Sequence, residues 1–235
     1  MNVQFQGRDF VGVFIGRRCQ DGWRISLEIR VVVAVANGVA DRERLGVSEM
    51  SAPRIRKAVS VRGETLVFRD VNLEDAEFIL SLRTDEMKSR FLSATSNDLQ
   101  TQRTWLEGYA KTDNQSYFII EYHGLPVGTV RLYDPQQDSF CWGSWILSDS
   151  RPRQAAMESA LMVYAYALDH LGFKSSHFDV RKGNERVWQF HERFGAQRVQ
   201  ETDRDFLYIL RNQAIRDSFS RYAKFLPNGV EVEFL

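Results

Sequence analysis

Between Trp142 and Ala196 the chain reads WGSWILSDSRPRQAAMESALMVYAYALDHLGFKSSHFDVRKGNERVWQFHERFGA. A β-prone run ends in the polar turn SDSRPRQAA, and a long apolar helix follows that Gly172 stops. A second strand then ends in VRKGN, and a short helix starts at once. The helix carries Leu161, Val163, Tyr164, Ala165, Ala167, Leu168 and Leu171 around most of its circumference, so it must be buried against a sheet. The turn before it delivers a helix N-terminus, where free backbone N–H groups and the helix dipole favour phosphate.

The flanking sequence supplies the remainder of such a sheet. Thr65–Arg69 reads as a strand, and Asn72 as the N-cap of a helix with Glu74 and Asp75 in its first turn. An irregular MKSRFLSATSN leads to a second helix over Asp98–Ala110. Ser116–Tyr122, Val127–Tyr133 and Phe140–Leu147 form an antiparallel meander, separated by the turns HGLP and DPQQDS. Beyond the opening stretch, Ser176–Val180 is a strand, Glu185–Phe194 a helix capped by Gly195, Asp205–Leu210 a strand, and Arg211–Leu226 an amphipathic helix. The order β-α-α-β-β-β-α-β-α-β-α predicts an α/β (α+β) fold, a mixed, mostly antiparallel sheet flanked by helices.

Three regions are expected: an N-terminal extension over 1–60, a domain over 61–210, and a C-terminal helix and tail over 211–235 packed on it. The extension holds short apolar runs broken by Gly and Arg, and a valine-rich EIRVVVAVA over Glu28–Ala36. It reads as a strand pair at a sheet edge or a poorly ordered segment. Because Met50 followed by SAPRIRKAVS looks like an ordinary start, residues 1–49 are expected to be dispensable for activity.

Composition removes several classes. Of 235 residues, 43% are hydrophobic and 12% aromatic, enough for a sizeable core. Lys and Arg together number 31, as do Asp and Glu, which gives no support to a nucleic-acid or membrane-surface binder. The two cysteines, Cys19 and Cys141, have no metal-type spacing and point to a reduced, cytoplasmic protein. No apolar run reaches the roughly 18–20 residues of a membrane span. His170 and His177 stand near Asp169 and Asp179, but a helix end, Gly172 and a strand separate them, so no metal is expected.

Residues 64–210 resemble the GCN5-related N-acetyltransferase (GNAT) superfamily in element order. The likeness is strongest in ALMVYAYALDHLGF (Ala160–Phe173) and VRKGNERVWQFHERFGA (Val180–Ala196), with a narrower likeness to members that acetylate the amino group of nucleotide-linked amino sugars. The resemblance implies acetyl-CoA as co-substrate, no metal, and direct attack by a primary amine of a small molecule in a ternary complex. A protein N-terminus is the second acceptor class. A non-catalytic GNAT-fold module is the rival reading, and a homodimer is a further expectation.

By the same resemblance, Arg151, Arg153, Gln154, Ala155, Ala156 and Met157 form the turn that holds the CoA pyrophosphate. Here Ala155 and Met157 stand where the family usually has glycine, which lets backbone approach phosphate closely, and the arginines and Gln154 are expected to compensate. A backbone N–H near Trp145, Ile146 or Leu147 is implied as oxyanion donor. Asn184 is either a helix cap or a CoA contact. His191 occupies the position of a Tyr that protonates the leaving thiolate; it is either that acid or a structural histidine. Glu121 and His123 share a face at the end of a strand, which makes Glu121 a candidate base or one of a solvent-facing pair.

Overall fold

The computed structural model describes residues 14–19, 22–27, 52–91 and 95–235. Chain contacts divide the protein into Met1–Met50 and Ser51–Leu235. In the first unit, β1 (Phe14–Cys19) and β2 (Gly22–Leu27) form an antiparallel hairpin. The valine-rich run 28–36 lies outside the described residues.

The second unit is built on a nine-stranded sheet. Its N-terminal half comprises β3 (Ala58–Arg62), β4 (Leu66–Asp70), α1 (Ala76–Thr84), α2 (Glu86–Ser89), α3 (Leu99–Ala110), β5 (Ser116–Tyr122), β6 (Leu125–Gln136) and β7 (Ser139–Leu147). Its C-terminal half comprises α4 (Ala155–Ala165), β8 (Ser175–Arg181), α5 (Glu185–Arg193), β9 (Gln197–Glu201), β10 (Asp205–Arg211), α6 (Asn212–Arg221) and β11 (Glu231–Phe234). The strands lie side by side in the order β11-β3-β4-β5-β6-β7-β8-β10-β9. Every neighbouring pair is antiparallel except β7 and β8, which are parallel. The fold is therefore the mixed, mostly antiparallel sheet flanked by helices that the element order predicts.

Ala58–Arg62 falls in this unit, as β3, and not in the N-terminal extension. The C-terminal segment continues beyond its helix into β11, which pairs with β3 at the far edge of the sheet. Its Val232 and Phe234 pack against the main core, whereas Glu231 and Glu233 are exposed.

Alternation divides the strand side chains between two cores. Phe68, Phe118, Ile120, Leu132, Phe140, Trp142, Phe178, Val180, Tyr208 and Leu210 join α4 in the larger one. Tyr117 and Ile119 face the other way and meet Ala76, Ile79, Leu106 and Tyr109 of α1 and α3. Helix α4 is buried at every position from Glu158 to Ala165, as its all-round apolar sequence requires. A π-turn over Tyr166–His170 extends it to Gly172, whose φ of +82° suits the glycine stop.

Candidate active site

The sheet opens between β7 and β8. Only Ser139 with Ser175 and Phe140 with Ser176 are paired, and beyond them the two strands part. Three features hold them apart on the α4 side. Trp142 projects from β7, Phe178 from β8, and the His191 ring of α5 sits against both, at 5.3 Å and 4.3 Å between ring centroids. Trp145 extends this wedge, its ring tilted against Trp142 at 5.4 Å and Phe190 at 5.3 Å between centroids, with its indole N–H donated to Ser159.

β7 is also bent at the opening. Its register with β6 shifts between Thr129 and Arg131, because Thr129 faces Ile146 while Arg131 faces Gly143. The extra residue is accommodated near Ser144, which takes φ +46°, and Thr129 Oγ1 donates to the Ser144 carbonyl at 2.7 Å. A bulge of this kind leaves its extra residue out of the ladder and bends the strand, which rejoins β6 at Ile146 and Leu147. Gly128 makes the bend possible, since a Cβ there would lie 2.5 Å from the Ile146 carbonyl oxygen. Trp145, Ile146 and Leu147 thus line the β7 side of the opening beside bent backbone.

The turn after β7 brings α4 to the same place. Gln154 is the N-cap residue and makes no side-chain capping bond, in contrast with Asp98 at α3 and Asp85 at α2, whose carboxylates accept from first-turn amides. The positive end of α4 is left uncapped by protein side chains. Its orientation is fixed from below by Glu158. This fully buried carboxylate accepts from Thr65 N at 2.6 Å, Leu66 N at 2.8 Å and Thr65 Oγ1 at 2.6 Å, tying the first turn of α4 to the β3–β4 hairpin. Gln154 reaches the same hairpin, donating to Thr65 Oγ1 at 3.3 Å.

Ala155 is fully buried and Met157 packs half-buried against the main core, so both side chains that replace glycine turn inward. Arg153 is exposed at the turn. Arg151 donates to the Ser148 carbonyl at 2.7 Å and lies 3.6 Å from Asp149, which shapes the turn. Across the opening, Asn184 precedes α5 without making a side-chain capping bond, so of its two sequence-based roles the capping one is not filled.

The two expected catalytic side chains do not have the surroundings those roles need. His191 is 5% exposed, its Nδ1 has no hydrogen-bond partner, and burial pushes its pKa down to about 3. It is neutral near pH 7 and holds no imidazolium proton to give to a thiolate. Glu121 lies on β5, with β6 between it and β7, so about 10 Å of sheet separates it from the opening. It also accepts from Arg69 Nε at 2.8 Å, and the Arg69 guanidinium forks onto Asp75 at 3.0 and 2.8 Å, raising the arginine pKa further. Glu121 therefore belongs to a structural ion-pair network. His123 is exposed at the β5–β6 turn.

The remaining candidates separate cleanly. Tyr133 lies opposite Cys141 on the α1–α3 side of the sheet, and Arg131 stands over the Trp105 and Tyr133 rings at 5.2 and 4.9 Å. Cys141 is free and buried, which pushes its thiol up to about 12. His177 bonds Ser139 Oγ at 2.8 Å and faces Asp134 at 3.4 Å, while Asp169 pairs with Arg216 at 2.6 Å. Among the described residues, no group of three or more His, Cys, Asp or Glu side chains could hold a metal ion. Among them too, no helix is long and apolar enough to cross a membrane. One side chain at the opening escaped the sequence reading as a site residue: Asp179, on β8, whose alternation with Phe178 and Val180 places it opposite the core.

The comparisons bear on the whole arrangement. Residues 65–197 match the family model described as an acetyltransferase (GNAT) domain. A search of curated proteins gives no match. Among solved structures, apo FdhC, described as a nucleotide-linked sugar GNAT, is 40% identical with a TM-score of 0.65, over 71% of this chain and 98% of its own. A GCN5-related N-acetyltransferase from Brucella melitensis is 17% identical with a TM-score of 0.62, over 75% of this chain and 90% of its own. A mutant of SpeG spermidine N-acetyltransferase from Vibrio cholerae is 12% identical with a TM-score of 0.55, over 65% of this chain and 96% of its own. The last two are likenesses of fold.

Proposed function

Because the chain belongs to the GNAT acetyltransferase family, we propose that it transfers an acetyl group from acetyl-CoA to the amino group of a nucleotide-linked amino sugar. The observation that carries this reading is the parted β7–β8 pair with the uncapped N-terminus of α4 at its mouth. The 40% identity to FdhC supports the acceptor class.

Acetyl-CoA supplies an activated acyl carbon and a thiolate leaving group. The chain's own groups then divide the work. In the first turn of α4 the Ala156 amide faces the pyrophosphate, while those of Ala155 and Met157 donate to the Pro152 and Gln154 carbonyls and fix the turn, and the dipole favours the phosphate charge. Arg151 and Arg153 add cationic hydrogen bonds that a glycine-poor turn needs, and Gln154 keeps the turn on the β3–β4 hairpin. The backbone bent at Ser144 presents an N–H in the Trp145–Leu147 segment to the carbonyl oxygen as it gains charge. Asn184 meets the cofactor from the β8 side. The acceptor enters on the α1–α3 face, the side that α4 and α5 leave free.

Titration calorimetry with acetyl-CoA, followed by a thiol-release assay over amino-sugar nucleotides, free amino sugars, polyamines and peptides, tests this reading. Binding in the micromolar range and turnover confined to amino-sugar nucleotides is the expected result. Absence of binding at millimolar acetyl-CoA would return the chain to a non-catalytic module. Turnover of peptides alone would assign it a protein N-terminus instead.

A further inference from the structure

Asp179 stands on β8 beyond the point where β8 parts from β7. Asp179 lies three residues beyond Ser176, the last β8 residue paired with β7, and opposite Leu207 on β10. Its backbone is held by β10, while the neighbouring edge of β8 is the open side of the cleft. His177, one alternation earlier, turns toward Ser139 and Asp134, and Asp179 shares that face, away from α4 and α5.

The Asp179 side chain is exposed, between the buried Phe178 and Val180. The charges that act on it are those of Asp205 on β10 and of Arg181 and His177 on its own strand, and its own charge acts on Tyr133 of β6 and Cys141 of β7. Arg181 is the nearby cation whose charge lowers the Asp179 pKa, against burial and Asp205. That guanidinium is committed elsewhere, with Nη1 donating to both Asp205 oxygens at 3.0 and 2.8 Å. Partial burial, and then the Asp205 charge, raise the Asp179 pKa. A carboxylate made more basic in this way is better matched to removing a proton near neutral pH.

We propose that Asp179 is the general base of the reaction, taking the proton of the acceptor ammonium at the β8 lip of the cleft. The proposal rests on the acyl-transfer reading above. One proton of the ammonium passes to the carboxylate and leaves to solvent when the product departs. The nitrogen lone pair so freed forms the bond to the acyl carbon, and the C–S bond breaks with its electron pair going to sulfur. The second proton the nitrogen sheds makes the thiol, so the amide, free CoA and one solvent proton balance the substrates.

The test compares wild type with Asp179→Asn and Asp179→Glu. Four readouts are taken: kcat against pH, the acetyl-CoA dissociation constant, the melting temperature, and carboxylate titration by NMR. In Asp179→Asn, kcat is expected to fall about 100-fold, the scale of general base catalysis. The acidic limb of the profile should vanish, with acetyl-CoA affinity unchanged and the melting temperature no lower. Asp179→Glu should restore part of kcat. His177 and Tyr133 remain in both variants, so a limb that persists belongs to them and overturns the proposal. Asp179→Asn turnover within about threefold of wild type also overturns it. So does a loss of melting temperature and cofactor affinity together, which marks a structural residue. A wild-type enzyme that turns over no amine overturns the acyl-transfer reading itself, separately from the choice of base.

Discussion

His191 is surrounded by rings: Trp142 and Phe178 across the parted strands and Phe190 beside it on α5. A neutral imidazole fits there, and a charged one does not. The unfolded chain binds the proton near pH 6.5 and the folded chain only near 3. The stability it allows is therefore complete above 6.5 and falls as the pH drops from 6.5 toward 3. At pH 5 the loss is about 2 kcal/mol. His191→Phe keeps the ring, removes the titration and removes the unpartnered Nδ1. Denaturant unfolding at pH 7 and pH 5 should show a smaller acid-induced loss in the variant by about that amount, with wild-type turnover at pH 7. The burial of this residue was legible. Val187, Phe190, His191 and Phe194 fall at the spacing of a core face, and family likeness drew the histidine away from it. Asp179 was legible in the same way, from the alternation in HFDV, but its use depends on where β7 and β8 part, which no local pattern encodes.

At the scale of an element, α4 shows how a binding turn is supported from behind. Its N-terminus must stay uncapped to be useful, so it is held by the buried side of its first turn. Glu158 does this by saturating the amides of Thr65 and Leu66. Glu158→Gln offers one acceptor oxygen in place of two, weakens the acceptor of both amides by removing its charge, and leaves the Thr65 hydroxyl without its carboxylate partner. We expect a loss of about 1–3 kcal/mol in denaturant unfolding. A weaker acetyl-CoA affinity by calorimetry should accompany it, because the turn loses its reference to the sheet. The helix and the turn were readable from sequence, as were the three meander strands with their Gly and Pro turns. β9 was not, because Gln197–Glu201 is exposed throughout and carries no alternation. Nor was β11, because EVEF is short and its partner β3 is more than 160 residues away in the chain. Long-range pairing decides β11, whereas β9 is set by its hairpin with β10, and composition contains neither.

For the whole molecule, the division at Met50 and Ser51 separates a small hairpin unit from the nine-stranded one. A chain beginning at Ser51 is expected to keep the melting temperature and acetyl-CoA affinity of the full protein. A chain ending at Leu226 should lose stability, because β11 covers β3 with Val232 and Phe234. Thermal unfolding of the two truncations checks both. The two boundary strands also bear on how copies of the protein meet in concentrated solution. A sheet edge offers a row of unpaired backbone groups to any other strand. Here one boundary carries Glu231 and Glu233 outward, and the other is the short, fully exposed Gln197–Glu201 with Arg198 and Glu201. Two copies approaching through their β11 boundaries set like charges against each other, so edge-to-edge pairing of two copies there is discouraged by the residues that complete the fold.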